Sequence, residues 1–235
     1  MPSEFQIKQQ VVEVGRRIYN KGFVAANDGN ISVRLGENEI LTTPTGVSKG
    51  FMIPDMLIKV NMDGLQLTGN LKPSSEIKMH LDIYKHRSDV GAVLHAHPPT
   101  ATAFSVVGIP LGQPILPEIV ITLGAVPIAK YGTPSTEEIP ANIREHLNSH
   151  DAVLLENHGA LTLGKDLFDA LHKMENIEHF AKVLFMARQL GGVRELPPLE
   201  VEKLLQVREN MGISGRHPWC SSCRSCDSNS KTNDR

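Results

Sequence analysis

The chain has 235 residues, 40% of them apolar and 21% charged, with a formal net charge of −2. That length sustains one large core, and a near-neutral balance without a basic stripe argues against a nucleic-acid partner. No run approaches the roughly 18 apolar residues a membrane span needs, no apolar signal region opens the chain, and its three cysteines all lie at or beyond Cys220, so a cytoplasmic protein without membrane contact or core disulfides is expected.

Ile7, Val11, Val14 and Ile18 fall at helical spacing, and Gly22 after Lys21 is a natural stop, which predicts an amphipathic first helix. Asn27-Asp28-Gly29-Asn30 is dense turn chemistry ahead of an alternating strand at 31–35. It is either a simple turn or a nest of backbone N–H groups for an anion. Residues 39–43 predict a second strand, which runs into the loop Thr43-Pro44-Thr45-Gly46. Residues 57–67 predict a hairpin turning at Asp63-Gly64. Lys72-Pro73-Ser74-Ser75-Glu76 then opens a helix with Ile77, Leu81 and Tyr84 on one face. Ser75 (or Ser74) is its N-cap, and the serine pair either only caps the helix or also holds a phosphate there.

From Val90 to His97 an apolar run ends in two histidines one residue apart. In a buried strand, residues i and i+2 share a side, so His95 and His97 project in parallel while Ala96 faces the opposite layer. Pro98-Pro99 stop the strand at once and leave the pair at its mouth. Two imidazoles so held can share one divalent transition ion; equally, they can be ordinary, partly buried histidines. Beyond them, 99–107 predict a short helix, 126–129 a strand, and 135–147 a helix despite Pro140. Residues 151–157 form a second buried-type strand that delivers His158-Gly159 at its end. The longest helix is predicted at 168–191, with apolar residues at 171, 174, 177, 181, 184 and 185, and with His172 and His179 on its surface. Pro197-Pro198 separate it from a last helix at 201–211. From Gly212 the composition turns to Ser, Asn, Cys and charge, which predicts a folded domain over 1–213 and a flexible tail over 214–235. In that tail His217, Cys220, Cys223 and Cys226 recur every third residue. They are possible ligands of a structural metal or iron–sulfur cluster, although the usual spacing of neither is matched.

Taken together, Gly29-Asn30, Thr43-Pro44-Thr45-Gly46, Ser74-Ser75-Glu76, His95-Ala96-His97 and His158-Gly159 resemble the class II aldolase/adducin family, in particular its L-fuculose-1-phosphate aldolase branch, over residues 5–210. The resemblance implies an α/β fold, a three-layer α/β/α sandwich around a mostly antiparallel sheet. It also implies a homotetramer with active sites between subunits. It implies one divalent metal ion per subunit, with zinc first and manganese, cobalt or iron as alternatives. His95, His97 and His158 match the metal-binding histidines. Glu76 matches the fourth ligand, which is also the acid/base. Gly29, Asn30, Thr45, Gly46, Ser74 and Ser75 match positions that hold the substrate phosphate. The implied reaction is reversible cleavage of a ketose 1-phosphate, L-fuculose 1-phosphate or a related deoxy-pentulose phosphate, into dihydroxyacetone phosphate and an aldehyde.

One departure stands out. That branch protonates the departing aldehyde with tyrosines, one of them in the C-terminal tail, and this chain has no tyrosine after Tyr131. Glu118, in the middle segment, is the candidate replacement; its other reading is a surface carboxylate. The same scaffold also supports ribulose-5-phosphate 4-epimerase-like and methylthioribulose-1-phosphate dehydratase-like reactions, and an adducin-like binding module without chemistry. A Schiff-base mechanism is discounted, since only Lys59 and Lys130 sit in apolar segments.

Overall fold

The computed structural model describes residues 2–219. Its first helix, α1 (Glu4–Asn20), starts with a reciprocal Ser3/Gln6 capping box and buries Val11, Val14 and Ile18, the stripe that its spacing predicts. Strands β1 (Asn30–Arg34), β2 (Ile40–Thr42), β3 (Ile58–Val60) and β4 (Gln66–Thr68) follow, then α2 (Ile77–His86) and β5 (Ala92–Ala96). Helices α3 (Pro99–Val106) and α4 (Pro117–Thr122) lead to β6 (Ile128–Ala129) and α5 (Glu138–Ile143). Strands β7 (Ala152–Leu155) and β8 (Gly159–Gly164) precede the long α6 (Leu167–Gln189) and the closing α7 (Pro198–Asn210).

The described strands make one eight-stranded sheet in the order β4-β3-β2-β1-β5-β8-β7-β6, antiparallel throughout except for the β6/β7 pair. Alternation along the strands sends Ile31, Leu94, Ala96, Leu154 and Ala160 into a core shared with α1, α3 and α6. Val93, Val153, Leu161 and Leu163 face the other way, into a second core with Ile77, Leu81 and Tyr84 of α2 and Ile139 and Ile143 of α5. Burial on both faces is what makes these strands near-continuous apolar runs. The result is a three-layer α/β/α sandwich, and no described helix is long and apolar enough to cross a membrane.

Several elements differ from expectation for local reasons. The helix expected at 135–147 shrinks to α5 plus a 3-10 turn at Arg144–His146. Pro140 is tolerated only in a first helical turn, so the helix cannot start much before Glu138, and Ser135 sits at φ 68 outside it. Two short elements, α4 and β8, had no prediction at all. The packed body also continues past the expected boundary at 213. Arg208 donates to the carbonyls of Ile121, Ser214 and Gly215, and the Arg216 N–H donates to Asp151. His217 is 1% exposed; its Nε2 donates to the Val120 carbonyl at 2.7 Å while Nδ1 accepts from the Trp219 N–H. Both ring nitrogens are therefore spent, which takes His217 out of any tail metal site. Cys220, Cys223 and Cys226 lie outside the described residues.

Candidate active site

Three chain segments converge at one end of the central strands. β5 carries His95, fully buried, and His97 follows just beyond the strand, its N–H held by the Phe23 carbonyl at 2.8 Å. His158 occupies the tight turn between β7 and β8, where Asn157 takes φ 54 and the His158 N–H returns to the Leu155 carbonyl. Gly159 must be glycine here. A Cβ would lie 2.5 Å from His97 Cδ2 and 2.6 Å from the Ala96 carbonyl, inside the histidine cluster. Glu76 arrives from the start of α2, in the layer that His95 faces. The N-cap of α2 is Glu76 rather than Ser75 or Ser74, and no side chain caps the helix; Ser74 Oγ accepts the Glu76 N–H at 3.3 Å just ahead of it. The Glu76 side chain points at the imidazoles, with Oε2 3.5 Å from His95 Nε2 and Oε1 3.5 Å from His158 Nε2. Asn30, paired with His95 across β1 and β5, donates its amide to Glu76 Oε2 at 2.8 Å.

The donor set fits a divalent transition ion. One nitrogen from each of His95, His97 and His158 lies within 4.8 Å of the others. His95 Nδ1 faces the Ala160 carbonyl at 3.0 Å and must donate to it, so Nε2 is a bare lone pair. His97 Nδ1 lies 3.5 Å from the Asp28 carboxylate. The Nε2 atoms of His95 and His97 stand 3.1 Å apart, where they share a proton or can turn together to one cation. Burial, and the neighbouring His158 and His97, hold His95 well below the usual histidine range; burial also lowers His158 against the pull of Glu76. Neutral imidazole is the form that ligates metal. Buried atoms without a partner complete the picture: Glu76 Oε1, Asn30 Oδ1 and His158 Nδ1.

Gly29, Asn30, Thr45, Gly46, Ser74, Ser75, Glu76, His97 and His158 all line a single cavity of roughly 200 Å³, with His95 buried behind them. Thus ten of the eleven predicted site residues come together, from five separate segments. The exception is Glu118, exposed in the first turn of α4 and absent from the cavity wall. Pro134 and Ser135 also line the cavity and were not anticipated, although Gly132-Thr133-Pro134-Ser135 is a turn-rich stretch next to a strand. A larger surprise is Lys49, 1% exposed and in contact with two loops of the site. Lys59, by contrast, pairs with Glu4 and Glu39, and Lys130 is exposed.

The family model of the class II aldolase and adducin N-terminal domain matches residues 9–185. The chain belongs to that family. It is 35% identical over 209 residues to the 3-oxo-tetronate 4-phosphate decarboxylase of Haemophilus influenzae, a span covering 87% of this chain and 97% of that one. It is 33% identical over 181 residues to the L-fuculose phosphate aldolase of Methanococcus maripaludis, covering 77% of this chain and 97% of that one. A solved L-fuculose 1-phosphate aldolase superimposes with a TM-score of 0.81 at 28% identity, covering 91% of this chain and 99% of its own. The class II aldolase fold thus accounts for nearly the whole described chain.

Proposed function

We propose that this chain is a metal-dependent lyase that breaks a carbon–carbon bond next to the carbonyl of a phosphorylated substrate and releases dihydroxyacetone phosphate. One observation carries the reading: the histidine and glutamate cluster shares a cavity wall with Gly29, Thr45, Gly46, Ser74 and Ser75, which offer neutral hydrogen-bond donors suited to a phosphate. His95, His97, His158 and Glu76 would hold the ion, and we assign zinc first. Such an ion is a Lewis acid that draws charge onto substrate oxygens where it develops, worth several kcal/mol of barrier. In aldol cleavage of a ketose 1-phosphate, the substrate's C4 hydroxyl loses a proton and the C3–C4 electron pair stays on C3. The departing piece is an aldehyde, and the enediolate left behind takes a proton at C3. Glu76 would take the C4 hydroxyl proton as a carboxylate and return it at C3, with Asn30 holding its Oε2. The phosphate end fixes the substrate so that the bond to be broken lies at the histidines. We further propose a homotetramer with this cavity at a subunit boundary.

A second reading is favoured by the position of Glu118. Among the described residues, a single chain presents only Asp28 and Glu76 as carboxylates in the cavity, and no tyrosine. Decarboxylation of a 3-oxo-tetronate 4-phosphate forms the same enediolate, and CO₂ leaves without needing a proton. Metal-loaded protein given L-fuculose 1-phosphate and, separately, the 3-oxo-tetronate 4-phosphate separates the two, with dihydroxyacetone phosphate assayed alongside aldehyde or CO₂. Aldehyde release supports the first reading and CO₂ release the second. No dihydroxyacetone phosphate from either overturns the proposal.

A further inference from the structure

The cavity poses a charge problem. Among the described residues no lysine or arginine lines it, while Asp28 and Glu76 do. A phosphate dianion would enter a wall already carrying two carboxylates, and the histidine corner can offset only the charge near it. A buried cation lies in the layer behind. Lys49 lies just past the Thr45-Gly46 loop, under α1, whose Gly15 approaches so closely that a Cβ there would sit 2.7 Å from the Lys49 carbonyl. The ammonium of Lys49 donates to the Asn27 carbonyl at 3.0 Å and to the Val47 carbonyl at 2.8 Å. Asn27 belongs to the turn at one side of the cavity, and Val47 follows Gly46 at the other. Among the described residues no carboxylate comes within ion-pairing distance of this buried ammonium. A buried charge without a counter-ion is costly, and a protein keeps one where an anion is to be received.

We propose that Lys49 is a positioning residue of the phosphate end: it ties the Asn27–Asn30 turn to the Thr45–Val47 loop and supplies, from behind the wall, the positive charge that offsets Asp28 and the incoming phosphate. This rests on the reading of the site as one for a phosphorylated substrate. The electrostatics agree with the geometry. Burial pushes the Lys49 ammonium down to about 8, and the charge of Asp28 works in the opposite direction. A bound phosphate acts in the same sense as Asp28 and holds the lysine charged.

The test uses the metal-loaded full chain and inorganic phosphate as the probe, by calorimetry, with metal content and a thermal melt recorded for every variant. Lys49→Met keeps the length and removes the charge; it is expected to weaken phosphate binding at least about tenfold. With the substrate identified above, the loss should fall on KM far more than on kcat. Lys49→Met combined with Asp28→Asn removes both charges and should regain most of the affinity. A purely structural tie would not be rescued in this way. Phosphate affinity in Lys49→Met within about twofold of the parent overturns the proposal, and so does a loss that the double variant leaves unrepaired. Should Lys49→Met not fold, Asp28→Asn alone keeps the lysine and removes the opposing charge. It should tighten phosphate severalfold, and unchanged affinity overturns the proposal. A parent protein that binds no phosphate refutes the phosphate reading itself, an outcome distinct from equal binding by parent and variant.

Discussion

The two ends of β5, β7 and β8 each carry a buried polar cluster, and the clusters differ in one respect. At the end where β5 and β7 begin, Arg87, Lys173 and Asp151 are paired throughout. Arg87 forks onto both oxygens of Asp89 at 2.7 Å and reaches Asp151 at 2.7 Å and the Leu147 carbonyl at 2.8 Å. Lys173 donates to Asp151, Asp169 and the Leu163 carbonyl, each at 2.9 Å, and the Arg216 N–H completes the shell of Asp151. At the other end, Glu76 Oε1, Asn30 Oδ1 and His158 Nδ1 are buried without hydrogen-bond partners, and two imidazole Nε2 atoms face each other at 3.1 Å. Buried polar groups are normally satisfied, so the saturated cluster reads as structure and the unsaturated one as a site awaiting its ligand.

The sharpest way to break that contrast is to empty the unsaturated end. His97→Ala should reduce bound metal from about one equivalent to near zero and cut turnover by at least about 10³-fold, the several kcal/mol that a Lewis acid supplies. Its metal-free melting temperature should stay close to that of the metal-free parent, because the polar side-chain contacts of His97 run to His95 and Asp28, within the site. Elemental analysis beside the lyase assay checks this, and an active, metal-free variant removes the cluster from the mechanism. Glu76→Gln should retain metal and lose about 10²- to 10⁴-fold in rate, the usual range for a positioned acid/base. Full activity in that variant takes the proton-transfer role away from Glu76.

Opposite behaviour is expected of the saturated end. Asp151→Ala leaves Arg87 and Lys173 buried with their shared counter-ion gone and releases the Arg216 N–H, so a loss of about 3–5 kcal/mol in stability is expected. Urea titration measures it. Metal content per folded chain should not change, and a variant that folds normally but loses metal would erase the distinction between the two ends.

Much of this was legible locally, because the chemistry is written in short motifs. A strand parity of two places His95 and His97 together, and Ser74-Ser75-Glu76 reads as a helix start whatever surrounds it. What escaped depends on contacts far away in sequence. Lys49 sits in Val47-Ser48-Lys49-Gly50, which reads as a polar loop; its burial is imposed by α1 closing over it through Gly15. The six residues Gly159–Gly164 carry a glycine at each end, so β8 is a strand only because β5 and β7 flank it. Glu118 matched the middle segment by loose alignment, and the structure leaves it exposed on α4, away from the cavity of its own chain. His217 looked like tail, since nothing around it in sequence is apolar enough to bury it. The partners that do so are Val120 and Arg208.

His217 offers the finest test, because it belongs to the saturated end yet titrates. Burial, with Arg208 beside it, lowers its pKa from the ordinary 6.5 to about 4. The unfolded chain therefore takes up a proton near pH 6.5 that the folded chain refuses until about 4, so the unfolded state binds more protons throughout that window. Stability must then fall as the pH is lowered from 6.5 towards 4, by at most about 3 kcal/mol from this residue. His217→Gln keeps a donor for the Val120 carbonyl but cannot titrate. It should cost about 1 kcal/mol at pH 7 through the poorer fit and flatten the acid slope by up to one proton. Some slope must remain, since His80 and His95 are also buried and held low. Urea midpoints at several pH values between 7 and 5 measure the difference. An unchanged slope would mean that the C-terminal segment opens before His217 is protonated, and that its seal on α4 is looser than the contacts of His217 and Arg208 imply.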